Sequence, residues 1–157
     1  MRSLEGWRNF TNSHANAKRR SLLQRLVNSA GILGPRIRTD KYPEEDFDKV
    51  INVNVKGLWN CMKVALQHFI AQRSGNIVNI ASAAGMVSNP KLSVYVASKF
   101  AVIGWSDSLR LEMEKENTNI KITTVTPFFI STGMFEGVKS NIVPIVKPQN
   151  AVDKIIR

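Results

Sequence analysis

Three short runs, "LLQRLVN" (22–28), "SGNIVNIAS" (74–82) and "NIKITTVTP" (119–127), limit the folds open to this chain more than any other feature. Each is apolar or β-branched and ends at a loop or a proline, the mark of a buried strand. Between them lie stretches with helical spacing. In "YPEEDFDKVINVNVKGLWNCMKVALQHFIAQ" (42–72), Pro43 and the acids after it suit a helix start. There Phe47, Val50, Ile51, Leu58, Met62, Ala65, Leu66 and Phe69 recur on one face. Asn52, Asn54 and Gly57 in the middle predict a bend. A second helical pattern runs from about Leu92 to Glu116, and "QNAVDKIIR" starts a third. Strand, helix, strand, helix, strand at this spacing predicts βαβ units: an α/β fold with a parallel sheet and helices on its faces. No internal repeat and no second domain is visible.

Composition narrows the class further. The chain of 157 residues is 43% hydrophobic and 22% charged, as a globular domain should be. No apolar run approaches the roughly 20 residues of a membrane-spanning helix. One cysteine, Cys61, rules out an internal disulfide and points to a reducing compartment, with the thiol in the core or an interface. The net charge is +10, and residues 1–38 hold eight Lys or Arg against Glu5 alone. Such a segment could bind nucleic acid or an anionic membrane and loosely resembles a transit peptide. With few aromatics interleaved (Trp7, Phe10), a poorly structured lead without a task is favoured over nucleic-acid binding.

The chemistry is concentrated in "YVASK" (95–99) and the serine at the end of the second strand. Tyr95 and Lys99, four apart on a helix, are stacked neighbours. A phenol near its free pKa of about 10 is a poor base at neutral pH, and a nearby ammonium lowers that value. Tyr95 could then exchange a proton with an alcohol or carbonyl while Ser82, at the C-terminal edge of the sheet, holds the substrate oxygen. The Tyr-x-x-x-Lys spacing alone is common by chance.

Its setting makes the pattern specific. "NSAG" (28–31), "VNVKG" (53–57), "GNIVNIASAAG" (75–85), "YVASK" (95–99) and "TPFFIST" (126–132), in this order, resemble the short-chain dehydrogenase/reductase family. The resemblance implies a partial Rossmann-like, doubly wound parallel sheet: the catalytic half, about three strands, over 22–157, behind a basic lead over 1–21. It implies Tyr95 as general acid/base, with Lys99 lowering its pKa and bonding the nicotinamide ribose, and Ser82 as the group orienting the carbonyl or hydroxyl. Asn54 is implied to hold a water in a proton relay by bending its helix. Asn28, Ala30 and Gly31 would line the cofactor and stabilise the sheet, and Pro127, Ile130 and Thr132 would face the nicotinamide carboxamide. The cofactor is NAD or NADP; no metal is expected. The substrate is a small alcohol or ketone.

Two positions depart from the family pattern. Ser29 replaces a more usual Asn, and Phe128 stands where many members have Gly. With "TGMFEGV" and "PIVKPQNAV", the latter resembles the branch acting on retinoids and 17β-hydroxysteroids, including lipid-droplet members, and an apolar substrate is the modest expectation. Phe128 and Phe129 could equally cap a core. No G-x-x-x-G-x-G occurs in the sequence, so the phosphate-binding turn that the family places before its first helix is missing. The chain therefore reads as truncated, and two functions are expected to compete. One is an NAD(P)-dependent oxidoreductase. The other is a non-catalytic fragment that pairs with a full-length relative, or forms homo-oligomers, through helices 43–72 and 92–116. An intracellular location, cytoplasmic or peripheral to a membrane, fits either.

Overall fold

The computed structural model describes residues 23–134 and 144–156, so the basic lead over 1–21 and the stretch 135–143 lie outside the described residues. The elements run β1 (Arg25–Asn28), α1 (Glu44–Ile51), a π-helical segment (Asn52–Gly57), α2 (Leu58–Gln72), β2 (Ser74–Ile80), α3 (Ser93–Lys115), β3 (Asn119–Val125) and α4 (Pro148–Ile156). The three strands form one parallel sheet in the order β1-β2-β3. Leu26 lies beside Ile77, and Ile77 beside Ile122, which sets one sheet face. Helical crossovers return the chain to the same end each time, as parallel pairing requires.

The core lies between that face and the helices α2 and α3. Met62, Ala65 and Phe69 of α2 meet Ile77, Ile120, Val102, Leu109 and Met113. Fully burying a side chain such as Phe69 or Ile77 contributes about 1.5–3 kcal/mol, so this cluster dominates the fold's stability. Across the sheet, Val78 is buried in the central strand while Val27 on β1 is 51% exposed. The first run is thus a half-exposed edge strand of four residues, not the buried strand its composition suggested. An edge strand has a neighbour on one side only, and the described residues supply no other cover for Val27.

Local chemistry sets the helix limits. Pro43 precedes α1, whose first turn holds Glu44, Glu45 and Asp46, favourable at the positive end of a helix. Val50 faces the interior, whereas Phe47 is exposed, so the predicted apolar face starts one turn later. The bend predicted around Asn52, Asn54 and Gly57 is a π-helical segment, a widened turn of the kind found at functional sites. α2 stops at Arg73, which adopts a left-handed conformation (φ 57°) and donates its N–H to the carbonyl of Ile70. β2 opens on Ser74 and Gly75, and Gly75 is there because the Phe69 ring packs against its backbone. Cys61 lies exposed on α2, outside the core.

Candidate active site

Ser82 follows β2, at the C-terminal edge of the sheet. Its Oγ accepts a hydrogen bond from the Ala84 N–H (3.2 Å), which pins the short turn Ala83–Gly85. Next to it, the Ala83 N–H donates to the carbonyl of Pro127 (2.9 Å), joining the loop after β2 to the segment after β3. The first turns of α3 carry Tyr95 and Lys99, and both side chains are buried. The Ser82 side chain lies close enough to the Tyr95 phenol to act on its ionisation. Lys99 Nζ lies 5.6 Å from the centre of the Tyr95 ring and donates to the carbonyl of Ile80 (3.2 Å). The three groups therefore form one constellation.

Electrostatics depart from the sequence argument. Burial raises the Tyr95 phenol above its ordinary value, with the Ser82 side chain acting in the opposite sense. Lys99 is shifted down by burial. Both shifts favour the uncharged form because water is excluded. Lys99 was expected to acidify the phenol; in the protein alone its ammonium sits beside the ring and a carbonyl, and desolvation wins. The phenol is thus held protonated, ready to give a proton rather than to take one.

Asn54, on the π-helical segment, is 1% exposed. Its Nδ2 donates to the carbonyl of Ile32 (2.9 Å) and to Ser98 Oγ (2.9 Å), and its Oδ1 accepts from the Ile32 N–H (2.8 Å). Both amide N–H bonds are therefore in use, so the expected water would have to be held by an acceptor, the second Oδ1 lone pair or the main chain. The loop after β1 is drawn in by these bonds. A Cβ on Gly31 would lie 3.3 Å from Lys99 Nζ and 3.4 Å from Asn54 Oδ1, so glycine leaves the space beside the ammonium open. Asn28 turns to the sheet instead: its Nδ2 donates to Asn79 Oδ1 (2.7 Å). Ala30 is exposed. Ile130 bridges Val146, and the Thr132 N–H donates to the carbonyl of Ile130 (2.8 Å), so these two lie on the segment that Pro127 begins. Phe128 is 54% exposed and does not cap the core.

Three buried polar residues, Asn79, Ser98 and Ser106, escaped the sequence reading. Asn79 Nδ2 donates to Ser106 Oγ (2.9 Å), which donates to the carbonyl of Val102 (2.6 Å), forming a chain from β1 through β2 to α3. Ser98 connects Asn54 to Tyr95 by donating to the Tyr95 carbonyl (2.7 Å). A lone amide inside "IVNIAS" and a hydroxyl between Tyr95 and Lys99 were the available signals. Among the described residues, no group of three or more His, Cys, Asp or Glu is placed to hold a metal, and no helix is long and apolar enough to cross a membrane.

A parallel α/β sheet with Ser82, Tyr95 and Lys99 gathered at its C-terminal edge defines a Rossmann-type protein. The chain belongs to the short-chain dehydrogenase family, whose model, described as short chain dehydrogenase, matches residues 8–142. It is 43% identical to epidermal retinol dehydrogenase 2 of Mus musculus over 136 residues, 83% of this chain and 43% of that protein. To the 3-oxoacyl-[acyl-carrier-protein] reductase FabG of Thermotoga maritima it is 41% identical over 111 residues, 71% of this chain and 44% of the relative. The structure of ElxO with NADP bound superposes with a TM-score of 0.69 at 29% identity, covering 98% of this chain and 53% of that one. The chain thus spans about half the length of the proteins it matches. Members of the family are NAD(P)-dependent oxidoreductases.

Proposed function

We propose that Tyr95, Ser82, Lys99 and Asn54 form the proton-transfer part of an oxidoreductase that interconverts an alcohol and a carbonyl compound with a nicotinamide dinucleotide. The burial of Ser82, Tyr95 and Lys99 together at the end of the sheet, with Lys99 Nζ 5.6 Å from the centre of the Tyr95 ring, carries the reading. In the reductive direction the Tyr95 O–H gives its proton to the carbonyl oxygen, which the Ser82 hydroxyl also hydrogen-bonds. The phenolate left behind is stabilised by the Lys99 ammonium at close range. In the oxidative direction the phenol must first give up its proton, and the phenolate so formed beside Lys99 takes the proton of the alcohol. The dinucleotide, when bound, supplies or accepts the hydride.

The residues present fit the nicotinamide end of such a cofactor. Lys99 Nζ has three N–H bonds, of which the Ile80 carbonyl takes one, and Gly31 leaves room beside it. Lys99 and Tyr95 would hold the ribose, with the turn at Ala30 and Gly31 on one side and Pro127, Ile130 and Thr132 on the other. Asn28 would act through the sheet. An apolar substrate is supported by Met86, Val87 and Phe128, exposed on the two segments joined beside Ser82. Near-equal identity to a retinol dehydrogenase and an acyl-carrier-protein reductase leaves the choice between such substrates to assay. Homo-oligomers through helices 43–72 and 92–116 are supported by a cleft of about 270 Å³ between α2 and α3, lined by Trp59, Leu66, Ile70 and Trp105.

NADH and NADPH are titrated against the purified chain by fluorescence, and turnover is then measured with retinaldehyde and a 3-oxoacyl thioester. Micromolar binding, with turnover lost in Tyr95→Phe while binding persists, supports the reading. No binding at millimolar nucleotide refutes it in favour of a non-catalytic fragment. That second reading is favoured by the exposed Val27 on edge strand β1, a surface suited to pairing with another polypeptide.

A further inference from the structure

Ser98 is fully buried between the two residues of the proposed proton-transfer site, and its hydrogen bonds can run in only one direction. The Tyr95 carbonyl is an acceptor, so the Ser98 O–H must donate to it (2.7 Å). That leaves the Ser98 oxygen lone pairs facing Asn54, where one accepts from Nδ2 (2.9 Å). The second Nδ2 hydrogen goes to the carbonyl of Ile32, and Oδ1 accepts the Ile32 N–H (2.8 Å). Reversing the amide would set an oxygen against a carbonyl and an N–H against an N–H. The circuit is therefore locked as a whole. It joins the loop after β1, the π-helical segment and α3.

We infer that Ser98 is a positioning residue: by fixing the Asn54 amide, it holds the Gly31–Ile32 turn against the Lys99 ammonium. Among the described residues no other side chain hydrogen-bonds the backbone of this turn: Ser29 and Ala30 are exposed, and Asn28 points to Asn79. Ile32 is exposed as well, so its apolar side chain contributes little to holding the turn; the two hydrogen bonds to Asn54 do it. If Ser98 loses its hydroxyl, one Asn54 N–H is left buried without an acceptor. The amide is then free to turn from Ile32 in search of one. The wall beside Lys99 loosens although no group touching substrate or cofactor has changed. The importance of Ser98 for catalysis rests on the proposed function; its effect on the turn does not.

Native-state hydrogen exchange of the full chain without nucleotide tests this, in Ser98→Ala and Ser98→Thr. Threonine keeps the hydroxyl and can bond back along the helix as serine does. In Ser98→Ala the Ile32 amide should exchange about tenfold faster or more, while the amides that pair β2 with β3 stay within about threefold of wild type. Ser98→Thr should restore the slow exchange of Ile32 relative to those strand amides. An unchanged Ile32 amide in Ser98→Ala, or equal acceleration of Ile32 and the strand amides, overturns the inference, as does a threonine variant that exchanges like alanine. Neither turnover nor nucleotide enters the measurement, so a chain that fails as an oxidoreductase can still pass this test, and an active one can fail it.

Discussion

Gly75→Ala tests the packing that sets the position of β2, and with it Ser82 at the strand's far end. A Cβ at Gly75 would overlap Cγ and Cδ1 of Phe69 and lie 2.7 Å from Cδ2. Phe69 is fully buried in the main core cluster and has nowhere to go without moving α2. Overpacking of this kind costs about 1–3 kcal/mol. The loss of unfolded-state freedom in going from glycine to alanine offsets about 0.4–1 kcal/mol of that. A net loss of about 1–2 kcal/mol, with a urea slope of about 1.5 kcal/mol/M, lowers the midpoint by about 1 M. Gly104→Ala is the matched control. Gly104 lies within α3, and a Cβ there would meet nothing within 4 Å. Its replacement should stabilise by about 0.5–1 kcal/mol and raise the midpoint by about 0.5 M. Urea unfolding followed by tryptophan fluorescence reads both. A Gly75→Ala midpoint equal to or above wild type would refute the packing argument, because no relaxation of Phe69 is then needed.

Asn76 and Asn79 lie on the same strand and should respond oppositely in the same assay. Asn76→Val removes a buried Oδ1 that has no partner among the described residues and should stabilise by about 1 kcal/mol, while Asn79→Val, which strands Asn28 Nδ2 and Ser106, should destabilise by about 2 kcal/mol. Tyr95 and Lys99 should give opposite slopes in stability against pH. Above about pH 10 the unfolded state loses the tyrosine proton before the folded state does, so stability falls as pH rises through the raised folded pKa. For Lys99 the folded state loses its proton first, so stability rises with pH between the lowered folded pKa and about 10.4 and is lost again as pH falls. In a Tyr42→Phe background, which removes a second raised phenol, Tyr95→Phe should flatten the alkaline fall and Lys99→Met the acid-side slope, both read as urea midpoints against pH.

The parts legible in the sequence were those written in local periodicity. β2 and β3 followed from β-branched runs, and α3 from the pattern between Leu92 and Glu116, so Tyr95 and Lys99 fell on one face as expected. Ser82 was legible because a strand end in a parallel sheet has a fixed side. What was not legible depends on contacts far apart in the chain. Gly57 and the asparagines signalled a bend, but the capture of the Ile32 backbone by Asn54, 22 residues away, could not be seen. Phe47 and Val27 matched the apolar pattern yet are exposed, since periodicity does not say which face finds cover. The direction of the Tyr95 shift was missed because charge can be read from residue type, whereas burial cannot.

The widened turn at Asn52–Gly57 has a consequence for changes in chain length. A π turn accommodates one more residue than an α turn over the same rise. Deleting one residue there would heal the helix, leaving the apolar sides of α1 and α2 in phase. Such a shortened protein would lack the bulge that lets Asn54 reach the neighbouring loop. At this spot the residue count, more than side-chain identity, decides whether Asn54 meets the loop after β1.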